Sequence, residues 1–231
     1  MAGYHVARRG KAARVAEATR GGPIMLDMAE IVALWRACDD ARVRPAFGAY
    51  IKLLTLTGCR RGELAHARLS WIKPAREDRL PLLHIPPAET KNGREHAAPL
   101  PTLAQGVIAG VKRFADTDLL TPGARSRRTG KTARISGWSK SWPALLRVAE
   151  NYGLARKPAL HDLRKTFRSH LARLGVADRV AEGMLNHAPT DRLIGIYDKH
   201  DYLSERIEAA EKWAAECLRH LLSCPVTRAM S

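Results

Sequence analysis

The sequence has 231 residues, enough for one large domain or two small ones, and its 45% apolar content excludes a disordered chain. Lysine and arginine number 39 against 23 acidic residues, a formal net charge of +16, and this excess calls for a polyanionic partner. No window holds the roughly 20 apolar residues of a membrane span, and the basic start (Arg8, Arg9, Lys11, Arg14, Arg20) runs into no apolar stretch. The expected partner is therefore nucleic acid, not a membrane.

Cys38, Cys59, Cys217 and Cys224 are scattered without zinc-ligand spacing, a pattern that suits a reducing cytosol. Residues 1–22 are rich in Ala, Arg and Gly and read as a basic arm or linker remnant, or alternatively as an artefact at the start of the chain. A helix is expected from Asp27, with Ile31, Leu34 and Trp35 at helical spacing. A second runs over about 43–57 with Val43, Phe47, Tyr50, Ile51 and Leu54 on one stripe. Thr57-Gly58 interrupts it, and a short helix follows through Ala67.

Strands are expected over 69–73, 80–85 and 94–100, the last two joined by a hairpin at Asn92-Gly93, since both residues tolerate positive φ. A helix near 102–114 precedes a loop over 121–137 rich in Gly, Ser, Arg and Thr. Helices then follow near 138–151, 161–174, 177–186, 190–199 and 203–222. The expected architecture is mainly α with a small three-stranded antiparallel β-sheet.

Several short segments could carry chemistry. In Thr57-Gly58-Cys59-Arg60-Arg61-Gly62-Glu63, glycine ends one helix and Arg60 opens the next, with Glu63 placed to hold it through an (i, i+3) ion pair. In Thr90-Lys91-Asn92-Gly93-Arg94, a turn lysine could reach into a groove and donate a proton. His161-Asp162-Leu163-Arg164-Lys165-Thr166 puts His161 and Arg164 on one helical face, a good phosphate contact. Leu185-Asn186-His187 is followed ten residues past its histidine by Tyr197. Taken singly, each has an ordinary reading: a capped surface helix, a solvated turn lysine, a helix with polar residues outward, a packing tyrosine.

Their order and spacing are more specific. Thr-Gly-x-Arg-x-x-Glu, a hairpin Lys, His-x-Leu-Arg, Leu-x-His and a Tyr about ten residues on resemble the tyrosine recombinase (phage integrase) family, over roughly residues 25–220. Ile135-Ser136-Gly137-Trp138-Ser139-Lys140 and Tyr197-Asp198-Lys199-His200-Asp201-Tyr202 look like the satellite-phage or genomic-island branch. One departure stands out: the usual Leu-Gly-His is here Leu-Asn-His.

The resemblance implies a tyrosine recombinase (DNA breaking-rejoining) catalytic-domain fold over residues 23–222, with 223–231 a C-terminal tail. It implies that Tyr197 is the nucleophile (Tyr202 the alternative), attacking a phosphodiester held by Arg60, Arg164 and His187. His161 would take the proton and Lys91 would protonate the leaving 5′-oxygen, with Glu63 in support. A 3′-phosphotyrosyl link stores the bond energy, so neither cofactor nor metal is expected.

The implied function is integration or excision of a mobile element. The partners would be double-stranded DNA and other recombinase protomers, up to a tetramer, in a cytoplasmic, nucleoid-associated setting. A catalytically silent DNA-binding relative and type IB topoisomerase-like relaxation are the alternatives. The two N-terminal DNA-binding modules common in this branch are absent from the sequence, which reads as an excised catalytic domain or a truncated relative. The last helix packs on its own core or, as in family relatives, on a neighbouring subunit.

Overall fold

The computed structural model describes residues 24–74, 80–187 and 202–224. Among these the helices are α1 (Met28–Cys38), α2 (Pro45–Thr57), α3 (Arg61–His66), α4 (Thr102–Ala109), α5 (Trp138–Glu150), α6 (Asp162–Arg173), α7 (Asp178–Met184) and α8 (Leu203–Ser223). Strands β1 (Ile72–Lys73), β2 (Leu82–Ile85) and β3 (His96–Pro99) form an antiparallel sheet in the order β1-β2-β3. A second, two-stranded sheet pairs β4 (Pro122–Arg125) with β5 (Thr132–Arg134).

Helix α1 starts at its expected cap. Asp27 Oδ1 accepts the Glu30 N–H at 2.9 Å, and Glu30 Oε2 accepts the Asp27 N–H at 3.1 Å, so two donors that the helix cannot satisfy internally are paired. Helix α2 is apolar around most of its surface, with Lys52 paired to Asp39 at 2.6 Å and the Thr55 and Thr57 hydroxyls bonded back to the helix, as suits a helix surrounded by protein. Every residue from Tyr50 to Thr57 is buried, and α2 packs against α1, α3, α4, α6 and α8. Gly48 lets α1 come close, since a Cβ there would fall 2.2 Å from the Cys38 carbonyl oxygen.

Helix α8 closes the core in cis. The Trp213 ring is fully buried, donates its indole N–H to the Thr55 carbonyl of α2 at 3.0 Å, and stacks on His170 at 5.0 Å. Phe167 meets the same ring edge-on at 6.2 Å. Aromatic packing of this size anchors α8 to the helix that carries His161 and Arg164.

Four expectations are corrected. The strand expected over 69–73 is a 3-10 turn at Leu69–Trp71 before the two-residue strand β1. The connection between β2 and β3 is no two-residue hairpin: Ile85 pairs with His96, and the intervening chain holds a 3-10 turn (Pro87–Glu89) before residues 90–95. Of Asn92 and Gly93 only Gly93 takes positive φ, +67°. The helix expected to 114 stops at Ala109, where Gly110 supplies neither helix propensity nor a side chain to pack. The segment 121–137, read as a loop, contains the β4–β5 hairpin, which leans on α2. The helix expected near 190–199 and the arm at 1–22 lie outside the described residues.

Candidate active site

The end of α2 sets Arg60. Gly58 adopts φ +62° and its N–H bonds the Leu54 carbonyl at 3.0 Å, a left-handed stop that glycine takes without strain. Two residues on, the chain is extended at Arg60 and turns into α3. Glu63 then holds Arg60 at both ends: Oε2 accepts its backbone N–H at 3.2 Å and Oε1 accepts its guanidinium at 2.8 Å. This is the (i, i+3) pair expected from the sequence.

Glu63 itself is buried. Burial pushes its carboxyl up, but the His96 and Arg60 side chains beside it outweigh that and bring it down to about 2, so it is a full anion at neutral pH. His96, pointing inward from β3, lies with Nδ1 3.7 Å from Glu63 Oε2 and Nε2 3.0 Å from the Met184 carbonyl oxygen. Burial holds the imidazole below its ordinary value despite the carboxylate. His96 was not singled out in the sequence; its only signal was its inward place in strand alternation.

Arg164, on the first turn of α6, is also buried. Its guanidinium donates to the Gly58 carbonyl on one side and the Leu185 carbonyl on the other. Burial, with Arg60 nearby, pushes it down to about 10, which leaves it charged at pH 7. Two of its five N–H donors are thus spent on the protein; the rest have no hydrogen-bond partner among the described residues. His161 precedes the same helix and is exposed at its rim. Desolvation first, and then the charges of Lys165 and Arg164, hold its imidazole below 6.5, so it is mainly neutral at pH 7.

Lys91 lies on the long β2–β3 connection. It shares with Arg60, Glu63, His66 and Thr90 the wall of an open cleft of about 340 Å³. His187 follows α7, with Nδ1 against the Glu182 carboxylate. Glu182 also accepts from Arg168 at 2.7 Å, and although burial pushes its carboxyl up, these two partners hold it below the ordinary range. Arg60, His161 and Arg164 are therefore electrostatic neighbours. Lys91 faces the Arg60 cleft, and the turn before His187 is bonded to Arg164. Tyr197 lies outside the described residues. Tyr202 opens α8 at φ +50° and accepts a hydrogen bond from Arg179 at 3.4 Å.

A buried carboxylate holding one arginine, a second arginine between two loops, and two histidines and a lysine at the edge are the residue types that can hold an anion. The phage integrase family pattern matches residues 25–203. The chain belongs to the phage integrase family. Its fold is that of the tyrosine recombinase catalytic domain. XerA recombinase is similar at 17% identity and TM-score 0.55, with 87% of this chain and 62% of that one covered. XerH, solved bound to difH substrate before cleavage, gives 22% identity and TM-score 0.54 over 79% of this chain and 53% of its own. A lambda integrase (75–356) dimer bound to a COC′ core site gives 18% and 0.51 over 77% and 67%. This phage integrase family chain thus spans between half and two thirds of the length of XerA and XerH. No curated protein sequence matches it.

Two further features of the family member bear on function. Arg125, Arg127, Arg128, Lys131 and Arg134 are all exposed on or beside the β4–β5 hairpin, a dense basic surface. No helix among the described residues is long and apolar enough to cross a membrane.

Proposed function

We propose that the chain is the catalytic unit of a site-specific DNA recombinase that cuts and rejoins strands through a 3′-phosphotyrosyl intermediate. The observation that carries this reading is the grouping of Arg60, Arg164 and His161, with Arg60 on the wall of a cleft that Lys91 shares. Two guanidiniums at one place answer the charge of a phosphodiester and of the transition state formed from it.

The Tyr197 hydroxyl attacks phosphorus, the bond to the 5′-oxygen breaks, and a phosphotyrosyl ester forms. His161 is mainly neutral at pH 7 and takes the phenolic proton, since a phenol near pKa ~10 does not lose it unaided. Lys91 gives a proton to the departing 5′-oxygen. Arg60, Arg164 and His187 bind the non-bridging oxygens. The free 5′-hydroxyl of a partner duplex then attacks the ester and restores Tyr197, which needs neither metal nor ATP.

The biological reading follows from the motifs at 135–140 and 197–202: integration or excision of a mobile element of the satellite-phage or genomic-island type. It takes place in the cytoplasm on nucleoid DNA, with protomers assembling as a tetramer. Supercoiled plasmids with and without a cognate site test the class. Recombination confined to plasmids with the site supports the proposal; relaxation of any plasmid without exchange supports a topoisomerase, and binding without cleavage a silent relative. Because the chain spans 62% of XerA and 53% of XerH, the assay is run with and without a core-binding module supplied in trans.

A further inference from the structure

The residue that departs from the usual Leu-Gly-His pattern is Asn186, and its side chain is not idle. It is 8% exposed and sits at φ +49°, a left-handed turn that asparagine tolerates better than most residues. Its amide Nδ2 donates to the Arg94 carbonyl at 3.1 Å and to Asn92 Oδ1 at 3.3 Å. In the other direction Asn92 Nδ2 donates to the Asn186 carbonyl at 2.7 Å. Two asparagines 94 positions apart thus clasp each other across the site.

The clasp has a definite location. Asn92 is the next residue after Lys91, and Asn186 directly precedes His187. The same short turn also offers the Leu185 carbonyl to Arg164. One three-residue turn therefore receives Arg164 on one carbonyl and the Lys91 loop on the next, and ends in His187. The β2–β3 connection is otherwise long and exposed at residues 91–95, and a loop of that kind samples many positions unless something ties it down.

We propose that Asn186 is a positioning residue for Lys91: the Asn92–Asn186 clasp holds the proton donor in register with the phosphate bound by Arg164 and His187. This rests on the reading of Lys91 as the group that protonates the 5′-oxygen. A lysine whose loop is untied spends less time within reach of the leaving oxygen.

The test measures single-turnover cleavage of nicked duplexes by the full chain, with either oxygen or sulfur at the bridging 5′ position of the scissile phosphate. A thiolate leaves without being protonated, so the sulfur substrate bypasses the proton donor. Asn186→Gly keeps the left-handed turn and the carbonyl that accepts from Asn92, and removes the two bonds that Asn186 Nδ2 donates to Asn92 and to the Arg94 carbonyl. It is expected to cleave the oxygen substrate about 10- to 100-fold more slowly than wild type and the sulfur substrate at close to the wild-type rate. Asn92→Ala, on an exposed turn, breaks the clasp from the other side without touching the core and is expected to show the same rescue.

A wild-type rate on oxygen DNA in either variant overturns the proposal, as does a loss that is equal on both substrates. Lys91→Ala run alongside separates the two levels. If it cleaves oxygen DNA at the wild-type rate, the proton-donor reading fails and the clasp proposal falls with it. If sulfur rescues Lys91→Ala but not the asparagine variants, the clasp alone is wrong.

Discussion

The Phe167 ring lies directly beneath Gly58, so close that a Cβ on Gly58 would fall 2.4 Å from its Cδ1 atom. Phe167 belongs to the helix that carries Arg164, and Gly58 stands two residues before Arg60. The contact therefore fixes the distance between the elements that present the two arginines. Gly58→Ala should cost roughly 2–4 kcal/mol, from a left-handed backbone without glycine and from overpacking a filled core. Urea unfolding checks the magnitude. Cleavage should fall more than the folded fraction does, because relief of the clash moves α6 away from α3.

Glu63 gives a prediction with a pH signature. Its carboxyl is about 2 when folded and near ~4.3 when unfolded, so the unfolded chain takes up the proton first as pH falls. The stability it contributes is complete above the unfolded value and is lost progressively as pH drops toward 2. Glu63→Gln should therefore be less stable than wild type at pH 7, and the gap should close through the range below 4.5. Glu63→Ala, which leaves Arg60 without its buried partner, should lose about 3 kcal/mol at pH 7. Thermal or urea unfolding of the three proteins across pH measures this.

His161 predicts the acid limb of the rate profile. Its imidazole is held below 6.5 by desolvation and by Lys165 and Arg164, and only the neutral ring accepts a proton. Single-turnover cleavage should be flat from pH 7 upward through neutrality and fall on acidification, with its midpoint below 6.5. His161→Gln should be slower by about 100-fold and should lose that limb. A limb that persists unchanged in the variant assigns it to another group.

The basic hairpin predicts salt dependence. Arg127, Arg128 and Lys131 are exposed and form no ion pair among the described residues. Removing one cation from a DNA phosphate lowers the slope of log K against log salt by about 0.9. The triple alanine variant should bind DNA with a shallower slope by about 2 to 3, while its stability changes by less than about 0.5 kcal/mol per site. An unchanged slope would place the hairpin away from DNA.

The helices were legible because their signals are local. Asp27 as a cap, and Gly58 with Arg60 and Glu63, each act within one turn or little more, and the structure shows the bonds those positions imply. The β4–β5 hairpin was not legible. Its sequence carries the Gly, Ser and Thr of a turn and no apolar alternation, and its order comes from distant partners such as Asp116, which accepts from the Thr132 N–H at 2.7 Å.

Non-local chemistry was hidden for the same reason. His96 faces Glu63 and Met184, and Asn92 meets Asn186, across separations that spacing does not encode. Asn92-Gly93 misled because the dipeptide favours a tight hairpin, whereas the Ile85–His96 register leaves a longer connection with Asn92 turned toward Asn186. The candidate residues themselves came from the order of five motifs, which is information about lineage rather than about packing.

The most direct measurement identifies the residue that joins protein to DNA. A nicked duplex that traps the cleaved strand is incubated with wild type, the adduct is digested with protease, and the DNA-linked peptide is sequenced by mass spectrometry. A phosphotyrosyl linkage at Tyr197 is expected, with no adduct from Tyr197→Phe. Linkage at Tyr202, or an adduct that survives Tyr197→Phe, would contradict it.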